Sequence, residues 1–525
     1  MSTAIRKLSS MDASFLYLET PEMPMHVGSI AIFKLPDNYD GSFFESFKAM
    51  IAGRLHLAPI LQSKLSQTPL DIDNPSWVHD DQFDIDRHIL RGSLPAPYDR
   101  ATLERIAGWM HAKLLNRARP LWEFYVFEGL ANNEVGLYSK VHHACIDGGA
   151  GAALTEIVYD ISPVPRKIAK AGPRTPVKDT REVAQNFMDQ YMKLWTQPPA
   201  KAREGMASIN LPRSGRTDLG SVLFDNAMHQ IESTMRFVSG LPDIAKTLSD
   251  MAGAALGKES REKMADLIAP ATPLNKAISS ERSYAAVTIS LSRAKAVAKA
   301  AGGKLNDVVM AVSSGILRQY LLEHAALPDK SLTAAVPISL REEGNQDSNN
   351  QVFGMICAIA TDVADPKARL ERIIGESTKA KELSSPLRPL MPHLQNLAPL
   401  GAPIVVQMLA LLYSRSNLSD ILPPPANVTI SNVPGPRKTL YAVGAELLNI
   451  YPVSIAVHGL ALNITVQSYR DQLDFGLIAG ANIIPNLQGM AQGIPHELEA
   501  LEVAFGLDQP SPPPPVATEN TQALH

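Results

Sequence analysis

The sequence predicts an α/β protein of two globular units joined by a connector. Three observations carry this. At 525 residues the chain is long for one hydrophobic core. Both halves mix apolar runs of strand length with amphipathic stretches of helical period. Between them, from residue 166 to about 269, the composition turns basic and Pro-rich, as a solvated connector would. The divisions expected are therefore 1–165, 166–269 and 270–508, with a Pro-rich polar tail at 509–525 that should be disordered.

In the first unit, Val27 to Leu35 reads as a strand. Phe43 to Leu57 reads as a helix with Phe43, Phe44, Phe47, Met50 and Ile51 inward. Thr102 to Leu115 is a second helix, and Pro120 to Phe127 a strand whose neighbour is Glu134 to Val141. An apolar helix follows over about Ala150 to Tyr159. The connector holds Arg166, Lys167, Lys170, Arg174, Lys178 and Arg181 against the single acid Asp179. Helical stretches then cover about Val183 to Trp195 and Leu223 to Leu256. In the second unit, strands are expected at Tyr284–Ser290, Thr333–Ile338, Gln351–Ala360 and Val428–Asn432. Leu462–Tyr469 and Leu473–Ala479, joined by Arg470-Asp471-Gln472, form a hairpin. Helices are expected at Arg293–Ala301, Leu305–Leu322 and Pro495–Phe505.

Composition excludes several classes. Hydrophobic residues make up 45 % and charged residues 19 %, an ordinary globular balance, and a net charge of −4 argues against a nucleic-acid partner. The two cysteines, Cys145 and Cys357, show no disulfide spacing, which suits a reducing cytoplasm. The N-terminus lacks the basic-then-apolar pattern of a signal peptide. Leu397 to Tyr413 is the nearest approach to a membrane span, but Pro399, Gly401 and Pro403 leave it too short and broken. A buried core helix is its ordinary reading, and a lipid-docking surface the alternative.

Chemistry concentrates at Val141-His142-His143-Ala144-Cys145-Ile146-Asp147-Gly148-Gly149, where a strand runs into a Gly-rich turn. Alternation along the strand points His142 and His143 to opposite faces, so only one of them can readily be the reacting base. The four-residue step to Asp147 favours His143, with Asp147 bracing the loop that carries it. An imidazole titrates near neutrality and can take a proton from a hydroxyl. Two other readings stand beside this one: a structural histidine pair with a turn aspartate, and a metal site that would need Cys145 and further ligands.

Six segments in order carry a resemblance. They are Met11 to Gly28, Pro120-Leu121-Trp122, the His142-His143…Asp147-Gly148 run, Pro270 to Asn275, Asn306-Asp307, and Val433-Pro434-Gly435-Pro436-Arg437. Together they resemble the wax ester synthase/diacylglycerol acyltransferase family across about residues 8–506, apart from the connector. The shorter HxxxD is shared with the wider CoA-dependent acyltransferases, including condensation domains of peptide synthetases. The resemblance implies two chloramphenicol-acetyltransferase-like domains, each a mixed sheet with flanking helices, enclosing a channel where they meet.

It further implies an acyl-CoA co-substrate, no bound cofactor or metal, and diacylglycerol or a long-chain alcohol as acceptor. His143 would be the proton acceptor and His142 secondary. Asp147 would support the loop by pairing with an arginine the sequence does not identify, and Asn306 would donate to an oxyanion. The implied location is cytoplasmic, at the surface of the inner membrane or of lipid bodies. No Ser or Cys nucleophile has a base at motif spacing, so direct transfer is expected; Cys145 is the residue to test for an acyl-enzyme. A condensation-type amide synthesis and a non-enzymatic lipid-body coat are the alternatives.

Overall fold

A computed structural model describes residues 6–66, 74–145, 154–168, 269–339, 352–384, 424 and 426–507. In the first half the elements are β1 (Arg6–Lys7), α1 (Ser10–Leu18), β2 (His26–Lys34), α2 (Phe43–Arg54), β3 (Ser63–Leu65), β4 (Ser76–His79), β5 (Ile89–Arg91), α3 (Arg100–His111), β6 (Trp122–Leu130) and β7 (Glu134–His142). The second half holds β8 (Arg282–Ser290), α4 (Leu291–Ala300), α5 (Leu305–Glu323), β9 (Thr333–Ser339), β10 (Val352–Ala358) and α6 (Pro366–Ser384). It continues with β11 (Val428–Val433), β12 (Tyr441–Ala442), β13 (Ala445–Val453), β14 (Leu462–Tyr469), β15 (Gln472–Gly480) and α7 (Gln488–Ala504). The expected helices at 183–195, 223–256 and 397–413, most of the basic run and the tail lie outside the described residues.

Local sequence accounts for the first elements. Ser9 caps α1 by accepting from the Asp12 amide at 3.1 Å, and Ser42 caps α2 from the Glu45 amide at 3.4 Å. Phe43, Phe44, Phe47 and Ile51 form the buried stripe of α2. Along β7, Val135, Leu137 and Val141 enter the first core, while Tyr138 faces the other side.

Two six-stranded mixed sheets organise the chain. One has the order β10-β9-β11-β14-β15-β8, with β11 parallel to both neighbours; its core lies under α4, α5, α6 and α7. The other has the order β12-β13-β2-β7-β6-β5. Its first two strands come from the second half of the sequence: β13 runs antiparallel to β2, pairing Glu446 with Lys34 and Val453 with Gly28.

β13 also lies against the other sheet, the one that contains β15. A Cβ at Gly476 of β15 would stand 1.8 Å from the Pro452 carbonyl oxygen, which accepts from Tyr284 Oη at 3.0 Å. Gly476 is glycine because another backbone occupies that space. Gly476→Ala is expected to cost at least about 1–3 kcal/mol as overpacking. An unchanged melting temperature would disprove the close approach.

Two apolar clusters span the halves. Ile30, Leu103, Ala107 and Tyr138 pack with Tyr284, Tyr451, Val453 and Ile478. Met23 and Met25 pack with Ile278, Ala456 and Ala461. Arg282 of β8 adds a hydrogen bond to the Glu22 carbonyl.

Several elements differ from expectation. α7 begins seven residues before Pro495 and runs through it. α1 and α6 were not anticipated. Of the expected helix at 150–159, the described part is a single turn over 154–158.

Candidate active site

β7 ends at His142, and that position decides what the two histidines do. The His142 side chain is fully buried on the face of Tyr138 and Lys140, directly opposite His26 of β2. The Ala144 amide donates to its Nδ1 at 3.1 Å, so its proton sits on Nε2, 3.3 Å from Glu19 Oε1. Glu19 follows α1 and its side chain is 2 % exposed. Arg117 donates to Glu19 Oε2 from Nε at 3.2 Å and Nη2 at 2.9 Å, and the Met25 amide donates to Oε1 at 3.1 Å. Burial alone would raise this carboxyl. The nearby Nε2–H of His142, the charge of Arg117 and the Met25 amide outweigh it and hold the pKa at about 2.

His143 leaves the strand and opens a short 3-10 turn, His143–Cys145. Its amide donates to the Met25 carbonyl at 2.9 Å, so the segment that Glu19 anchors also anchors His143. The half-buried ring stacks on Phe15 of α1, with centroids 3.9 Å apart and planes 21° from parallel. Phe15 packs in turn on the Met23–Met25–Ile278–Ala456 cluster, so the imidazole stands at the seam of the two halves. Its Nδ1 is buried without a hydrogen-bond partner among the described residues. Desolvation, helped by the neighbouring His142, lowers the His143 pKa to about 4. At neutral pH it is a free base.

Behind His142 lies a second polar layer. His26 Nε2 donates to the His111 carbonyl at 2.6 Å, while His111 bridges Tyr138 Oη at 2.8 Å and the Ser454 carbonyl at 3.0 Å. Lys140 donates to the Lys113 carbonyl at 3.1 Å and faces Glu123 at 3.2 Å. Burial holds His26 well below its usual value and His111 at about 3, so both are neutral packing residues. His142→Ala is expected to lower the melting temperature, with a smaller activity loss than His143→Ala. A dead but fully stable His142 variant would reverse the two roles.

The other predicted residues fare differently. Asp147, Gly148 and Gly149 lie outside the described residues. Asn306 is half-buried at the second position of α5, and no hydrogen bond joins it to His143 among the described residues. Its neighbour Asp307, third in the helix, reaches back to the N-cap: it accepts from the Lys304 amide at 2.8 Å, and from Ser377 Oγ at 2.8 Å. Cys145 packs into the first core. Among the described residues no group of three or more His, Cys, Asp or Glu is arranged to hold a metal.

The remaining motif segments hold the scaffold. Trp122 is 1 % exposed, donates to the Leu61 carbonyl at 2.8 Å and stacks on His88. Asn275 donates to the carbonyls of Ala426 and Gly459, both at 2.8 Å. A Cβ at Gly435 would lie 1.9 Å from the Ser468 carbonyl oxygen. Sequence reasoning missed Glu19 and Arg117. The available signal was an acid directly after an apolar helical run, a position that needs a partner once buried.

The family model for the wax ester synthase/diacylglycerol acyltransferase catalytic domain matches residues 8–309, and that for the C-terminal domain matches residues 348–502. The chain belongs to this family. It is an acyltransferase. A Mycobacterium tuberculosis protein named as a diacylglycerol O-acyltransferase is 34 % identical over 501 residues, 95 % of this chain and 100 % of that one. A Mycobacterium bovis protein named likewise is 33 % identical over 497 residues, covering 94 % and 98 %. Among solved structures, the wax ester synthase/diacylglycerol acyltransferase of Marinobacter aquaeolei VT8 superposes with a TM-score of 0.65 at 28 % identity. That match covers 96 % of this chain and 100 % of the Marinobacter chain. No helix of the described residues in this acyltransferase is long and apolar enough to cross a membrane.

Proposed function

We propose that the enzyme esterifies diacylglycerol, long-chain alcohols or both with acyl groups from acyl-CoA, and that His143 is the general base. One observation carries the proposal: a neutral imidazole, its pKa lowered to about 4, stands half-buried at the seam between the halves. The curated relatives' names, which specify diacylglycerol as acceptor, support the substrate class.

The acceptor hydroxyl loses its proton to His143 as its oxygen bonds to the thioester carbon. This yields a tetrahedral oxyanion, to which Asn306 is a candidate amide donor. Collapse breaks the carbon–sulfur bond, and the imidazolium returns its proton to the leaving CoA sulfur. Net proton change on the enzyme is zero, and no acyl-enzyme forms. Asp147 supports the loop in this reading, and the enzyme works in the cytoplasm against a membrane or lipid body.

Purified protein with palmitoyl-CoA and either dioleoylglycerol or hexadecanol should release CoA and form the matching ester. Absence of ester with both acceptors would refute the proposal. Cys145→Ala is expected to retain turnover, because the thiol packs in the core. An acylated Cys145 in a mass spectrum would replace direct transfer with a covalent route.

A further inference from the structure

We infer that the C-terminal end of α3, the loop after it and the last turn of α1 form the surface that docks on a lipid interface bearing anionic headgroups. This rests on the reading above that the acceptor is itself a lipid.

α3 turns Leu103, Ala107 and Met110 inward, while Arg105 and Trp109 share its outer stripe, four residues apart. Trp109 is 60 % exposed; by contrast Trp77 and Trp122 are buried. Lys113 follows on the same stripe with its ammonium 3.1 Å from the Trp109 ring centroid. Beside it Leu114 is 43 % exposed. From Arg105 to Trp122 the chain carries four Lys or Arg and no Asp or Glu. An exposed indole and leucine on a segment that itself carries only cations are complementary to an anionic interface, where indole sits at headgroup depth and ammonium and guanidinium groups meet phosphates.

The surface adjoins the site. Arg117 donates to the Leu16 carbonyl at 2.6 Å as well as to Glu19, which brings the loop against the end of α1, where Leu18 is 40 % exposed. Three residues before Leu18 is Phe15, whose ring lies on His143. The helix rises only about 4.5 Å between them. An acceptor dissolved in lipid at this surface therefore reaches the imidazole with little exposure to water. The connector offers a rival surface, yet Arg166, the first of its six basic residues, already pairs with Asp160 at 3.2 Å and Glu156 at 3.4 Å.

Vesicle flotation of the full-length protein tests the assignment, using phosphatidylcholine alone and phosphatidylcholine with phosphatidylglycerol. The protein should float with the anionic vesicles and less so as salt rises. Trp109→Ser with Leu114→Ser should abolish most of the binding. Arg105→Gln with Lys113→Gln should weaken it by about fivefold per charge. Both variants should melt normally and turn over a short, water-soluble alcohol at the parent rate. Parent-like flotation of both variants would overturn the inference, as would flotation that disappears only when the basic residues of 166–181 become Gln. A shift from oligomer to monomer in the Ser variant would make the surface a contact between copies. Flotation involves no chemistry, so failed acyl transfer leaves this result intact, and failed flotation leaves the transfer result intact.

Discussion

Replacing His143 with alanine is expected to lower acyl transfer by about 10²–10⁴-fold while the protein keeps its fold. The ring contributes one stacked face against Phe15 and no side-chain hydrogen bond through Nδ1, so its removal should disturb packing little. The pH profile separates a base from a bystander. A base must be neutral, and burial places the His143 pKa at about 4. The acidic limb of kcat/KM should therefore fall near pH 4 instead of near 6.5, and vanish with the variant. Stability has the same sign. The unfolded imidazole titrates near 6.5 and the folded one near 4, so protonation favours unfolding as pH falls through that window. An alanine variant with more than a tenth of the parent rate would remove His143 from the mechanism.

Glu19→Gln is the second large effect. Its carboxylate is 2 % exposed and its pKa is about 2 against a usual 4.5. The folded group binds its proton less tightly than the unfolded one, so it stabilises the fold fully above about pH 4.5. That contribution, roughly 3 kcal/mol, is lost as pH falls towards 2. Glutamine keeps the shape and removes the charge that Arg117 and His142 Nε2 face. Arg117, 40 % exposed, can turn to water, so a loss of about 2–3 kcal/mol is expected, short of the largest penalties for a stranded buried charge. Because Glu19 holds the Met25 amide and Met25 holds His143, turnover should fall together with the melting temperature. Normal melting with no turnover would instead place Glu19 in the reaction itself.

The reading of the chain succeeded where the signal was local. Alternation along β7, the Phe stripe of α2 and the β14–β15 hairpin are properties of a few neighbouring residues. Where stability comes from distant partners, the signal thins. β13 contains Pro452 and owes its place to β2, far away in the chain, so nothing near it announces a sheet strand. α1 is nine residues long and only weakly amphipathic, and its Ser9 cap is a single residue. Pro495 suggested a helix start because proline suits the first turn, yet seven helical residues precede it.

The site shows the same division. The strand end and the turn at His142–His143 were legible from spacing. The Arg117–Glu19–His142 chain joins residues 98 apart in sequence at its Arg117–Glu19 step, and no pattern of period or spacing predicts such a pairing. Burial of an acid becomes visible only once the elements are packed.

The placement of β13 has a consequence for how the protein is made. The edge of β2 that receives it is complete when residue 34 leaves the ribosome, but its partner ends at residue 453, 419 residues later (453 − 34). At about 5–20 residues per second, that edge waits roughly 20–85 s. Over this interval Ile30, Ile32 and their neighbours present an unpaired, apolar strand, the kind of surface that nascent chains use to aggregate. Synthesis of this enzyme should therefore lean on a chaperone that covers strand edges, and two separately expressed halves should recover activity only when produced together.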